Sequence, residues 1–181
     1  MINFEKPHSI TDSNGGFDWE KAVAWNNKIL DSLVGCSIPD FNVKTIYGIP
    51  LSKKEVSGKV IILNFWFEGC APCVAEMPAL NKLVEEYKDK DVVFIGFSTD
   101  DSKSIINFIK TRPFNYQLVS SDYEVNERFC MFLAGCPANM VFDKKGVLRQ
   151  IFTGGTIDAE FAKTESYDKL KPTIDSCLNE K

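Results

Sequence analysis

At 181 residues, 44% hydrophobic and 25% charged, the chain has the size and composition of one globular domain with an extension. A net charge of −4 without any Lys/Arg block excludes a nucleic-acid or anionic-membrane surface as the main binding feature. Six cysteines spread over such a length are not the framework of a small disulfide-stapled scaffold.

Residues 1–16 are polar, hold the single histidine, His8, and close on the turn signal Asn14-Gly15-Gly16. They lack the basic-then-apolar pattern of a secretory signal, which leaves a cytosolic protein or one whose signal has been removed. From Phe17 to Val34 the residues Trp19, Val23, Ala24, Ile29, Leu30 and Leu33 recur at helical spacing, with Gly35 as a stop. The chain therefore divides into a lead-in and helix over 1–34 and a main domain over 35–181. Phe41-Asn42-Val43 alternates, and Tyr47-Gly48-Ile49-Pro50 and Ser57-Gly58 are turns.

The run from Val60 to Phe67 is too short to span a bilayer and reads as a buried strand that leads into Gly69-Cys70. Val74, Met77, Leu80, Leu83, Val84 and Tyr87 then mark one face of a long helix, with Pro78 inside the pattern. Val92–Phe97 is a second apolar strand, Ser98-Thr99-Asp100 a cap, and about Ser102–Lys110 a helix, with Asp100-Asp101 read as helix capping and not as a metal site. Tyr116–Val119 is a short strand and Tyr123–Leu133 a helix. Ala138–Phe142 and Val147–Thr153 flank the hairpin turn Asp143-Lys144-Lys145-Gly146. A last helix covers about Asp168–Leu178. Parallel strand–helix units followed by an antiparallel hairpin predict an α/β fold: a mixed central sheet flanked by helices on both faces.

Chemistry concentrates at Cys70-Ala71-Pro72-Cys73. At a strand-to-helix junction Cys70 meets unpaired backbone N–H groups and the positive end of the helix dipole, which favour its thiolate. Cys73, one turn further in, is placed to attack a mixed disulfide and release the reduced product. Pro72 fits the first turn, where its missing N–H is not needed. Cys70 is thus the expected nucleophile and Cys73 the resolving thiol. The competing reading is a zinc half-site or two core thiols, but no second cysteine pair of that spacing exists, and His8 lies in the lead-in. Gly154-Gly155-Thr156 reads as a turn, not a phosphate loop, because no Lys-Ser/Thr follows. A peroxiredoxin would carry a proline and threonine upstream of its cysteine, and the residues before Cys70 do not supply them.

The segment from Asn64 to Leu80 resembles the active-site segment of the TlpA/ResA-like thioredoxin family. Gly135-Cys136-Pro137 with the hairpin at 142–146 resembles that family's cis-proline loop, and Ile38-Pro39-Asp40-Phe41 its leading segment. The resemblance covers roughly residues 35–180. It implies a thioredoxin fold and extracytoplasmic thiol–disulfide chemistry, with reduction as the direction and no cofactor beyond the redox-active pair. It makes Pro137 the cis-proline that pairs with a substrate strand and Glu76 a proton carrier for the resolving thiol. Cys136, Trp66 and Pro72 join Pro137 as substrate-contacting residues. Expected partners are a protein disulfide and a thiol electron donor, with a monomer located in the periplasm or cell envelope, or alternatively the cytoplasm. No resident metal is expected. Two features depart from the family pattern: Gly69 stands where a tryptophan usually precedes the first cysteine, and Cys136 precedes the cis-proline. The latter opens an alternative, a non-catalytic metal-binding or redox-sensing module using Cys70, Cys73 and Cys136. Cys177 is expected in the core, and a Cys36–Cys130 bridge is disfavoured.

Overall fold

The computed structural model describes residues 11, 13–121, 123–129 and 135–180. In chain order these form α1 (Trp19–Leu33), β1 (Asn42–Lys44), β2 (Pro50–Ser52), β3 (Val60–Trp66), α2 (Ala71–Glu86), β4 (Val92–Ser98) and α3 (Ser102–Ile109). They continue through β5 (Gln117–Ser120), α4 (Tyr123–Arg128), β6 (Ala138–Phe142), β7 (Leu148–Thr153) and α5 (Ala159–Asn179).

Five strands make one mixed sheet in the order β5-β4-β3-β6-β7, with β4 parallel to β3 and to β5, and β6 antiparallel to both β3 and β7. β1 and β2 form a separate antiparallel pair. All seven residues of β3 are buried, because the strand lies in the middle of the sheet with helices on both faces. Strand alternation sends Ile61, Leu63 and Phe65 into one core with Leu30 of α1, Phe41 and Phe129. Val60, Ile62 and Trp66 go to the other, with Leu80 and Leu83 of α2, Ile105 of α3, and Leu170 and Ile174 of α5. The even-numbered face of β3 also carries Asn64, so a buried amide points towards the helix that bears the cysteines.

Two expectations change, the first only in part, since of Asp100 and Asp101 it is Asp101 that caps. The helix after β4 is capped by Asp101, whose side chain accepts from the backbone N–H groups of Lys103 and Ser104. The Ser98 hydroxyl and the Glu68 backbone N–H instead donate to the Asp100 carboxylate. The last helix begins at Ala159, nine residues before its expected start, with Asp158 as its cap. Its first half is mostly polar, so apolar periodicity gives no sign of it, yet Ala162 and Ser166 are buried. The expected helix over 123–133 is described only as far as Arg128, and the remainder lies outside the described residues, as does His8. Among the described residues no helix is long and apolar enough to cross a membrane.

Candidate active site

The turn between β3 and α2 delivers Cys70 to the N-cap of α2 with Ala71 and Pro72 in the first turn. Cys70 and Cys73 are joined in a disulfide with their Cα atoms 5.3 Å apart. The Cys73 backbone N–H donates to Cys70 Sγ at 3.3 Å. An N–H aimed at the sulfur from a helix N-terminus is what a thiolate needs once the disulfide opens. Cys70 is 6% exposed and Cys73 1%, so Cys70 is the more accessible residue of a largely buried pair.

The loop ahead of Cys70 is pinned from the neighbouring strand. Asp100 Oδ2 accepts from the Glu68 backbone N–H at 2.7 Å and from the Ser98 hydroxyl at 2.9 Å. The Ser120 hydroxyl donates to the Asp100 carbonyl at 2.7 Å. Asp100 therefore orders the loop that leads to Cys70 instead of capping α3. At Gly69, where the resemblance leads one to expect a tryptophan, the Phe67 ring lies 3.4 Å from where a Cβ would sit. Phe67 is 37% exposed, so an aromatic surface is present beside Cys70, supplied two residues earlier.

Opposite the dithiol, the Cys136–Pro137 peptide is cis. The Pro137 carbonyl accepts from the Gly154 backbone N–H at 2.9 Å, which extends the β6–β7 ladder. A Cβ on Gly155 would sit 3.2 Å from Pro137 Cγ and 3.4 Å from Pro72 Cβ. Pro72, Pro137 and Gly155 are thus brought together, and the turn at 154–156 belongs to the rim of the site. Cys136 is an exposed free thiol. Packing about its sulfur and then the nearby Glu76 charge push its pKa up.

Beneath the dithiol lies Glu76, one helical turn beyond Cys73 and 3% exposed. Its Oε1 accepts from Asn64 Nδ2 at 2.8 Å and Asn139 Nδ2 at 3.3 Å, while its Oε2 accepts from Asn139 Nδ2 at 3.2 Å and Ser166 Oγ at 2.6 Å. Asn64 and Asn139 face each other across the β3–β6 ladder, and Asn64 Nδ2 also donates to Asn139 Oδ1 at 3.0 Å. Burial raises the Glu76 pKa, and the hydrogen bonds from Ser166, Asn64 and Asn139 oppose the rise without cancelling it.

Trp66, expected to contact substrate, is 1% exposed and packs against Phe108 and Phe114. It is a core residue with no surface for a substrate, because strand alternation turns it under α2 and α3. Cys177 is buried as expected, Cys36 is exposed and unbonded, and Cys130 lies outside the described residues. Among the described residues no three His, Cys, Asp or Glu side chains are grouped so as to hold a metal ion. Reading the sequence alone misses Asn64, Asn139, Ser166, Asp100 and Gly155. The asparagines had a signal, since each interrupts an otherwise apolar strand.

Residues 34–151 match the AhpC/TSA family. The thioredoxin-like protein YneN of Bacillus subtilis is 31% identical over 75% of this chain and 81% of its own length. The thiol:disulfide interchange protein DsbE of Pseudomonas fluorescens is 30% identical over 79% of each. A thioredoxin-family thiol:disulfide interchange protein of Chlorobium tepidum has the same fold, with a TM-score of 0.67 over 79% of this chain and 96% of its own, at 22% identity. The bonded Cys70–Cys73 pair at the head of α2 gives that kinship its chemistry: the chain belongs to the AhpC/TSA family of thioredoxin-like proteins and is a thiol–disulfide oxidoreductase.

Proposed function

We propose that the protein reduces disulfides of exported polypeptides, with Cys70 as nucleophile, Cys73 as resolving thiol and Glu76 as the proton acceptor for Cys73. The observation that carries this reading is the asymmetry of the pair: the less buried cysteine caps the helix, and the more deeply buried one lies one turn from a buried carboxylate.

In the dithiol form the Cys70 thiolate attacks one sulfur of the substrate disulfide. The other substrate sulfur leaves with the electron pair of the broken bond and takes up a proton. Cys73 passes its proton to Glu76, and the resulting thiolate attacks Cys70 Sγ. The second substrate sulfur then leaves, so the substrate gains two electrons and the Cys70–Cys73 disulfide forms. A thiol electron donor restores the dithiol, and the cycle draws on no cofactor beyond the redox-active pair. Backbone at Cys136 and Pro137, beside Pro72 and the Phe67 ring, forms the surface on which a substrate strand lies. Export and reduction rest on the family resemblance, and a monomer suffices because every group used comes from one chain.

An equilibrium titration of the purified protein against glutathione buffers, with mass-spectrometric mapping of the disulfide, tests the reading. A reversible Cys70–Cys73 couple near or below the thioredoxin potential, about −270 mV, supports a reductant. A couple near −120 mV, the strongly oxidising end of the same scale, would overturn the direction and leave an oxidase of thiols.

A further inference from the structure

The groups that surround the Glu76 carboxylate are not equivalent. Asn64 and Asn139 both reach it through their amide nitrogens, which only donate. Asn64 Nδ2 also donates to Asn139 Oδ1, so neither amide can flip alone without breaking that bond. Both therefore suit an ionised carboxylate and offer no acceptor to a protonated one. Ser166 differs. Its hydroxyl, 2.6 Å from Oε2 and 3% exposed, can donate to the carboxylate or accept from the carboxylic acid by turning its own hydrogen away.

We propose that Ser166 is the positioning residue that lets buried Glu76 take up and release a proton in place, and that it sets the pH at which this happens. The proposal rests on Glu76 being the acceptor of the Cys73 proton. When that proton arrives on Oε2, the new O–H donates to Ser166 Oγ, and the serine hydrogen rotates without leaving its oxygen. On deprotonation the serine turns back and donates again. Among the described residues, the other titratable groups facing Glu76 are Cys136 before β6, Tyr116 before β5 and Glu165 beside Ser166 on α5, joined by Cys73 on α2 once the disulfide opens. Cys136 and Tyr116 are held above their ordinary pKa values, and Glu165 is paired with Lys169 at 2.7 Å.

The test follows the Glu76 carboxyl carbon by NMR across pH in the full-length oxidised protein, assigned by its loss in Glu76→Gln. Ser166→Ala removes a donor to the anion, and bonds to a charged acceptor are the stronger kind. The Glu76 midpoint should rise by about one pH unit, roughly a tenfold change in proton affinity. The pH step in release of the substrate mixed disulfide by Cys73 should move by the same amount. Alanine is the better helix former, so α5 tolerates the change. Ser166→Cys, with its weak S–H donor, should shift the midpoint the same way and carries the test if the alanine variant does not fold. An unchanged or lowered midpoint in either folded variant overturns the role of Ser166. If instead Glu76→Gln leaves the kinetic pH step in place, the proton-acceptor reading of Glu76 fails, and the NMR midpoint still decides what Ser166 does.

Discussion

Burial holds the Glu76 carboxyl above its ordinary range, and the donors around it offset only part of that. In the unfolded chain the same group ionises near its usual value of about 4.3. Between that pH and the folded midpoint the native state binds the extra proton, so stability falls as pH rises through the interval and stays lower above it. Glu76→Gln should therefore stabilise the fold at pH 8, by about 1.4 kcal/mol for each unit that burial raises the pKa. The gain should vanish by about pH 4, and urea midpoints at the two pH values measure it. A glutamine variant weaker than the native protein at pH 8 would mean that the cradle outweighs the cost of burial. Cys136 allows a second prediction at this scale. Its raised pKa keeps it a thiol at neutral pH, so it should not replace Cys73. In Cys73→Ser the mixed disulfide on Cys70 should accumulate under thiol trapping; its release through Cys136 would bring the third thiol into the chemistry. Glu76 was legible in the sequence through the family resemblance, with which its spacing of one helical turn from Cys73 agrees. Its donors were not, because Asn139 and Ser166 lie 63 and 90 residues away along the chain.

Two glycines separate what the elements do for the site from what they do for the fold. Gly155, at the turn between β7 and α5, leaves room for Pro137 and Pro72 to approach. Gly155→Ala pushes the Pro137 ring by a few tenths of an ångström and fills the space beside Pro72, and should slow substrate attack severalfold while costing about 1 kcal/mol or less of stability. Gly96 lies in β4, where a Cβ would come within 2.8 Å of Leu118 Cδ2 and 3.2 Å of Trp66 Nε1. Gly96→Ala should destabilise the fold by about 1–3 kcal/mol, with per-molecule turnover of the folded fraction unchanged. Paired denaturation and single-turnover measurements distinguish the two. The apolar elements β3, β4 and α2 were readable because their patterns are strong. The first half of α5 was not, because its burial is carried by Ala162 and Ser166, and neither residue registers in an apolar count.

For the whole molecule, the direction of the reaction is a statement about stability. Folding and disulfide formation share one thermodynamic cycle, so a reductant, whose folded disulfide is favoured, must be more stable oxidised than reduced. The expected result is a higher melting temperature for the oxidised protein, with each 30 mV of potential below that of the unfolded pair worth about 1.4 kcal/mol. A more stable reduced form would make the protein an oxidant. α2 and α5 run side by side from the dithiol end, tied by Ser166 to Glu76, Tyr167 to Glu86 at 2.5 Å and Tyr87 to Asp175 at 2.6 Å.

Residue order alone determined the reactive pair, its place at a strand-to-helix junction, the run of parallel units before the hairpin, and the carboxylate one turn past Cys73. Each is a local matter of spacing, polarity or propensity, acting over a few residues. Tertiary structure decided that Trp66 turns inward, that Asp100 holds the loop before Cys70 and not the start of α3, and that Gly155 closes on Pro137. It also decided that two strand amides and a helix serine meet at one buried carboxylate. Those outcomes depend on which face of a wholly buried strand meets which helix, and period-two alternation fixes the faces without saying what will cover them.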